Sequence, residues 1–213
     1  MKIFILRLSC SLLFSGLAVA ASQAQRELDG ALRATPDAVN GEALFDHCAS
    51  CHGADGNGEA DGSTPRIAGQ HYSVLLKQLQ DFRNGRRPNF RMGELADRHH
   101  LPQDRDVAAV ALHVSRMPAG GGQGVGDGSR STAGALIFGA RCASCHGADG
   151  RGSDARVVPR LAGQHYGYLV RQMYDAVDGR RTTLVEVHQR KVAPLDFDQV
   201  RGIADYLSRI EPR

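Results

Sequence analysis

The chain has 213 residues, with 26 basic and 23 acidic side chains and a formal charge of +3. That length suits one or two ordinary domains. A charge so close to balance, with no clustered basic stretch, argues against nucleic acid as a partner.

Residues 1–24 read as an export signal. Lys2 and Arg7 give a short basic start, and an apolar run continues through Leu12, Leu13, Phe14, Leu17 and Val19. Ala18-Val19-Ala20 is a small-x-small cleavage site, with Ser22-Gln23-Ala24 as a second candidate. Arg7, the serines and Gly16 make the run a poor membrane span. Cys10 lies inside this segment, so a cleaved chain keeps four of the five cysteines. Cleavage removes two basic residues and lowers the balance from +3 to +1. Residues 25–118 then carry 11 basic and 13 acidic side chains, and residues 119–213 carry 13 and 10.

The first region, residues 25–118, opens with a short helix contributing Leu44 or Phe45. It leads into Cys48-Ala49-Ser50-Cys51-His52. C-x-x-C-H is the signature of c-type haem attachment. Two thiols one helical turn apart reach the two vinyl groups of one haem, and the adjoining His offers its imidazole to the iron. A Cys₄ zinc site would place its second pair 15–20 residues on. A thioredoxin-like C-x-x-C would sit in a βαβ unit, which this chain lacks. Glycine-rich turns follow, with Asp55 in an Asp-Gly pair. Tyr72, Leu75, Leu76, Leu79 and Phe82 then recur at helical spacing, and so do Val107, Val110, Ala111 and Val114. His113 belongs to the packed face of that last helix.

Residues 119–132 form a glycine-rich linker with no periodic apolar face. The second region, residues 133–213, repeats the first. Its motif, Cys142-Ala143-Ser144-Cys145-His146, lies 142 − 48 = 94 residues after the first. Pro65-Arg66-Ile67-Ala68-Gly69-Gln70-His71-Tyr72 matches Pro159-Arg160-Leu161-Ala162-Gly163-Gln164-His165-Tyr166 without a gap, and Gly85-Arg86-Arg87 matches Gly179-Arg180-Arg181. The helical positions Leu169, Val170, Met173 and Val177, then Val200, Ile203, Ala204 and Leu207, follow in turn. This is one duplication giving two similar domains. Both are all-α, a few helices around a covalently bound haem whose apolar surface supplements a small core. Two such haem c groups are expected per chain. One detail breaks the register. Gly134, Phe138 and Cys142 are evenly spaced, whereas Gly41 and Phe45 stand one residue late relative to Cys48. A slightly rotated helix contact is the expected result.

The C-A-S-C-H-G-A-D-G stretch, the P-R-[IL]-A-G-Q-H-Y block and the helix ending in G-R-R together resemble the dihaem cytochromes c of the c4 type. Those proteins have two class I cytochrome c domains with closely spaced haems. The resemblance covers residues 40–210. It implies that the carbonyls of Pro65 and Pro159 accept from the proximal imidazoles of His52 and His146, and that Arg66 and Arg160 lie near haem propionates. Repetition of His71 and His165 at helix starts points to a structural role. The family closes its haem with a Met about forty residues after the proximal His. Met92 meets this, since 92 − 52 = 40, in what reads as an extended loop, with His99 and His100 as fallbacks.

The second copy departs from that pattern. Its counterpart of Met92 is Glu186, and Met173 matches Leu79 on the preceding helix. His188 is the nearest good ligand, with 188 − 146 = 42. Three outcomes stand open: ligation by His188, an open iron, or ligation by Lys191 or another group. The implied function is a periplasmic relay of single electrons from a donor dehydrogenase or quinol-oxidising complex to an acceptor such as a terminal oxidase. The membrane enters only through such a partner. No nucleophile constellation or phosphate loop points to an enzyme. The alternatives are a haem enzyme or ligand-binding module using an open second haem, and the cytochrome subunit of a larger dehydrogenase complex.

Overall fold

A computed structural model describes residues 26, 28–36 and 38–212, so the export signal expected at residues 1–24 lies outside the described residues. The first half contains α1 (Ala38–His52), α2 (Tyr72–Arg83), α3 (Phe90–Leu95) and α4 (Asp104–Arg116). The second contains α5 (Ser131–Arg141), α6 (Ala143–His146), α7 (Tyr166–Val177), α8 (Glu186–Val192) and α9 (Phe197–Ser208). Among the described residues the only β pairing is an isolated bridge between Ser153 and Val158. No helix among them is long and apolar enough to cross a membrane. The all-α architecture is as expected.

In each half the first helix crosses the last, α1 over α4 and α5 over α9. The crossings are so close that only glycine fits. A Cβ on Gly41 would stand 2.3 Å from the Ala109 carbonyl oxygen, and one on Gly134 would stand 1.8 Å from that of Gly202. One turn later Phe45 and Phe138 are buried against His113 and Tyr206, with ring centroids 5.4 and 5.7 Å apart. His113 therefore packs, as Tyr206 does. The same contact forms in both halves, so the expected rotation is absent. The second half absorbs its extra residue in a break instead. α1 runs unbroken through Cys48 to His52, whereas α5 stops at Arg141 and α6 starts at Ala143, with Cys142 at φ −114° between them.

The apolar faces of the last helices fill the two cores. Val107, Val110, Ala111 and Val114 pack with Leu75 and Leu76. Val200, Ile203, Ala204 and Leu207 pack with Leu169 and Ala176. Each such valine, leucine or isoleucine contributes roughly 1.5–3 kcal/mol when fully buried. A capping box starts α9, with the Asp196 side chain accepting from Gln199 N–H at 2.8 Å and the Gln199 side chain accepting from Asp196 N–H at 3.2 Å.

The repeated Q-H pair joins the halves. The Gln70 side chain accepts from Arg160 N–H (2.9 Å) and donates to the Arg160 carbonyl (3.0 Å). Gln164 does the same to Arg66, at 3.0 and 2.8 Å. His71 Nε2 meets the Arg151 carbonyl and His165 Nε2 the Asn57 carbonyl, both at 2.7 Å. Residues 94 apart exchange equivalent bonds, which is what an approximate twofold relation between the halves requires. The glycine-rich stretch runs along this seam. The Gly124 carbonyl accepts from Tyr166 N–H at 2.8 Å, and a Cβ at Gly124 would stand 1.7 Å from the Ala60 oxygen. Its last residues, Ser131 and Thr132, already belong to α5, so the irregular segment is shorter than residues 119–132.

Candidate haem sites

The last turn of α1 carries Cys48, Cys51 and His52, and α6 with its N-cap carries Cys142, Cys145 and His146. Cys48 and Cys142 are half-buried, while Cys51 and Cys145 are exposed. Burial, with a smaller contribution from Cys51, pushes the Cys48 thiol up to about 11, which does not suit a thiolate metal site. Among the described residues no three His, Cys, Asp or Glu side chains group as a metal-ion site. Both proximal imidazoles are buried. His52 Nδ1 lies 2.9 Å from the Pro65 oxygen and His146 Nδ1 lies 3.1 Å from the Pro159 oxygen. A carbonyl can only accept, so each Nδ1 carries the proton and each Nε2 keeps its lone pair for a metal. Burial lowers both pKa values, and the proline carbonyls oppose it. The neutral imidazole is the ligating form.

The distal sides differ. Met92 is half-buried in α3, and the Asn89 side chain accepts from its N–H at 3.0 Å. The extended loop expected there is a short helix, because Asn89 is a strong N-cap directly after Pro88. An open cavity of about 470 Å³ adjoins it, lined by Cys51, Arg91, Glu94, Leu95, Asp97 and His100. His100 Nδ1 lies 3.0 Å from the Glu94 carbonyl, and the exposed His99 ring packs edge-on against it.

In the second half α8 carries His188. Its ring centroid is 6.2 Å from that of His146, with the planes at 69°. A metal with bonds of ~2 Å to one nitrogen of each ring would separate the centroids by roughly 6 Å. The His188 Nδ1 is buried with no hydrogen-bond partner among the described residues. Burial, then His146 and Arg181, push its pKa down to about 4. The other groups weighed for this position are packed in the core, paired or turned to solvent. Met173 packs into the core, Glu186 is exposed and paired with Arg190, and Lys191 is exposed.

Arg66 is buried, and its guanidinium is directed at the Asn57 side-chain oxygen (3.0 Å) and the carbonyls of Gly163 and Gly121. It thus ties the seam and the glycine-rich stretch together. Burial, only partly offset by Asp55 and Glu211, lowers its pKa. Arg160 joins the seam through its backbone, and burial, then Arg151, lower its guanidinium pKa.

Sequence reasoning missed a second pair, Arg87 and Arg181. Arg87 donates to Gln78 (2.5 Å), to the Tyr168 hydroxyl (2.8 Å) and to Gln172, bridging the halves. Arg181 reaches back to Gln78 at 3.4 Å, and its Nε is buried without a partner among the described residues. Burial, then Arg87, push the Arg181 pKa down to about 10. Neither guanidinium forms an ion pair among the described residues. Two half-buried like charges side by side favour an anion beside them, and haem brings two carboxylates. The available signal was the G-R-R repeated in both copies. Thioether-forming thiols, proximal imidazoles with a free Nε2, the orphaned His188 and this cation pair all fit a haem in each half.

The cytochrome c family model matches residues 38–115 and again 131–211. The chain belongs to the cytochrome c family. It is 31% identical to cytochrome c4 of Pseudomonas aeruginosa, over 84% of this chain and 92% of that one. It is 34% identical to a thiosulfate dehydrogenase electron acceptor of Stutzerimonas stutzeri, over 76% of this chain and 78% of that one. Among solved structures, reduced cytochrome c4 from Pseudomonas stutzeri superposes with a TM-score of 0.72 at 29% identity, covering 83% of this chain and all of that one. The thiosulfate dehydrogenase TsdBA of Marichromatium purpuratum gives 0.69 at 30% identity, covering 82% of this chain and 40% of that one. The chain is thus a dihaem electron carrier of the cytochrome c4 type, with two covalently bound haem c groups, at Cys48/Cys51 and Cys142/Cys145.

Proposed function

We propose that the chain is a periplasmic relay with unlike iron ligands in its two halves, His52 and Met92 in the first and His146 and His188 in the second. The observation that carries this reading is the 6.2 Å separation of the His146 and His188 ring centroids, with the His188 Nδ1 left without a hydrogen-bond partner among the described residues. When bound, each haem supplies a one-electron iron couple, and a thioether ligand raises its potential relative to a second imidazole. The ligand difference makes the second half the point of entry and the first half the resting place. Pro65 and Pro159 orient the proximal rings. Arg87 and Arg181 would hold haem carboxylates, and Arg66 holds the halves in register. Export by residues 1–24 places the chain with periplasmic donors and acceptors. Similarity to a thiosulfate dehydrogenase electron acceptor favours a dehydrogenase as donor, with a terminal oxidase as acceptor.

Reductive titration of the purified chain tests this reading. We expect two electrons per chain, fully low-spin ferric spectra and no binding of carbon monoxide by the reduced form. Carbon monoxide binding, or a high-spin ferric signal, would instead mark the second iron as open and the protein as a ligand-binding or catalytic module.

A further inference from the structure

A helix as short as α3 does not hold its place by itself. Its 6 residues offer too few internal hydrogen bonds for independent stability, so the position of Met92 is set by what grips the two ends. At the start, the Asn89 side chain accepts from Met92 N–H at 3.0 Å. At the end the grip comes from another helix. Arg83, the last residue of α2, donates from Nε to the Ala96 carbonyl at 2.7 Å and from Nη2 to the Leu101 carbonyl at 2.8 Å. Ala96 is the C-cap of α3. A guanidinium therefore sits where the helix presents unpaired carbonyls and the negative end of its dipole.

This clamp is enclosed. The Arg83 side chain is 5% exposed, and Ala96 and Leu101 are buried. Arg83 Nη1 lies 3.7 Å from Oδ1 of Asp104, the first residue of α4, which supplies the countercharge. The N-terminal segment closes over that carboxylate. A Cβ on Gly30 would stand 3.1 Å from Asp104 Oδ2, and Ala31 beside it is fully buried. One side chain thus joins the end of α3 to α2 and α4. The second half is held differently. Val177 stands 94 residues on from Arg83 and packs against the core. There α8 is tied to α7 by the neutral Gln189 amide, which donates to the Ala176 carbonyl at 2.7 Å.

We propose that Arg83 is a positioning residue for electron transfer. By holding the Ala96 and Leu101 carbonyls, it keeps α3 seated so that the Met92 thioether stays on the first iron and the first haem keeps the higher potential. The thioether is an intramolecular ligand, so its occupancy follows the effective concentration that an anchored helix gives it. This deepens the reading of Met92 as sixth ligand and rests on it.

The test uses the ferric dihaem protein and imidazole, which takes the first iron only in the fraction of molecules where Met92 has left it. The sulfur-to-iron charge-transfer band in the near-red reports the thioether directly. Arg83→Gln should bind imidazole at the first iron at least ~10-fold more tightly, in proportion to the larger open fraction. Its near-red band should be weaker before imidazole is added, and its upper one-electron wave should fall. Arg83→Lys keeps the charge but not the two-carbonyl fork, and should tighten imidazole binding by ~3-fold. Gln189→Ala, in the second half, should leave the band and the first iron's affinity within ~2-fold of the parent. An Arg83→Gln protein that unfolds at lower denaturant yet keeps the parent's band, imidazole affinity and upper wave would make Arg83 merely structural and overturn the assignment. If that variant does not hold its first haem, Arg83→Lys decides, and parent-like imidazole affinity there overturns the assignment equally. A parent without the near-red band would count against Met92 as ligand and remove this inference with it. A parent band that both Arg83 variants leave unchanged counts against Arg83 alone.

Discussion

His52 and His146 bond Pro65 and Pro159 at 2.9 and 3.1 Å through loops of the same length, whereas Met92 and His188 stand on helices of different length and sequence. The two sides of the haem sites are held by different structural constraints. The proximal loop closes over thirteen residues, with both attachment cysteines on the preceding turn, so a change there loses haem and fold together. The distal ligand proposed in each half rides on a short helix between two core helices. α3 and α8 can change length and sequence while the crossings α1–α4 and α5–α9 stay as they are. The two copies therefore share the attachment geometry and differ in the helix that carries the proposed sixth ligand.

If the proximal sides are equivalent, their loss should be equivalent. Cys48→Ala/Cys51→Ala and Cys142→Ala/Cys145→Ala should each leave one haem per chain. Each should also cost its half more than the ~5 kcal/mol that marks the low end of domain stability. Haem quantitation and the loss of about half the helical circular dichroism would register this. A compact, helical half without haem would break the account. Next in size are the helix crossings. Gly134→Ala and Gly41→Ala drive a methyl into backbone and should each cost ~2–3 kcal/mol, more at Gly134 because the approach is closer. Denaturant midpoints measure this, and equal midpoints for variant and parent would contradict it.

The seam gives a smaller and symmetric effect. Gln70→Ala and Gln164→Ala each remove two backbone bonds across the seam and should cost about 1–3 kcal/mol. The expected sign is one unfolding transition splitting into two, to the same extent for both variants. Unequal splitting would show that the halves are not related as the reciprocal bonds imply. The smallest effect is on pH. Burial lowers the His165 pKa, with the Asn57 carbonyl opposing. The folded state therefore favours the neutral ring, which donates to Asn57 and accepts from Gly124 N–H. A depressed folded pKa means stability that is complete above the unfolded value of about 6.5 and declines as pH falls below it, until the folded value is passed. His165→Gln should flatten that part of the melting-temperature profile.

Much of this was legible in sequence because it is local. The C-A-S-C-H motifs, the apolar periodicity of α2, α4, α7 and α9, and the repeat itself need only neighbouring residues. The register slip at Gly41 and Phe45 was visible, but its resolution as a helix break at Cys142 was not, because it depends on the backbone of the facing helix. α3 and α8 have too few residues to show a periodic face, so Met92 was expected in a loop. Gln70, Gln164, His71 and His165 stood out as repeated residues. Their role is set by the opposite half, 80 to 108 residues away in sequence, a distance over which spacing carries no information. Arg87 and Arg181 were hidden for the same reason.

The claim of unlike sixth ligands is tested most directly by a redox titration of the dihaem protein beside its His188→Met variant, read by visible absorption. The account predicts two separated one-electron waves in the parent and, in the variant, a rise of the lower wave toward the upper, since a thioether then replaces an imidazole. Two coincident waves in the parent, or a lower wave unmoved by the substitution, would contradict it.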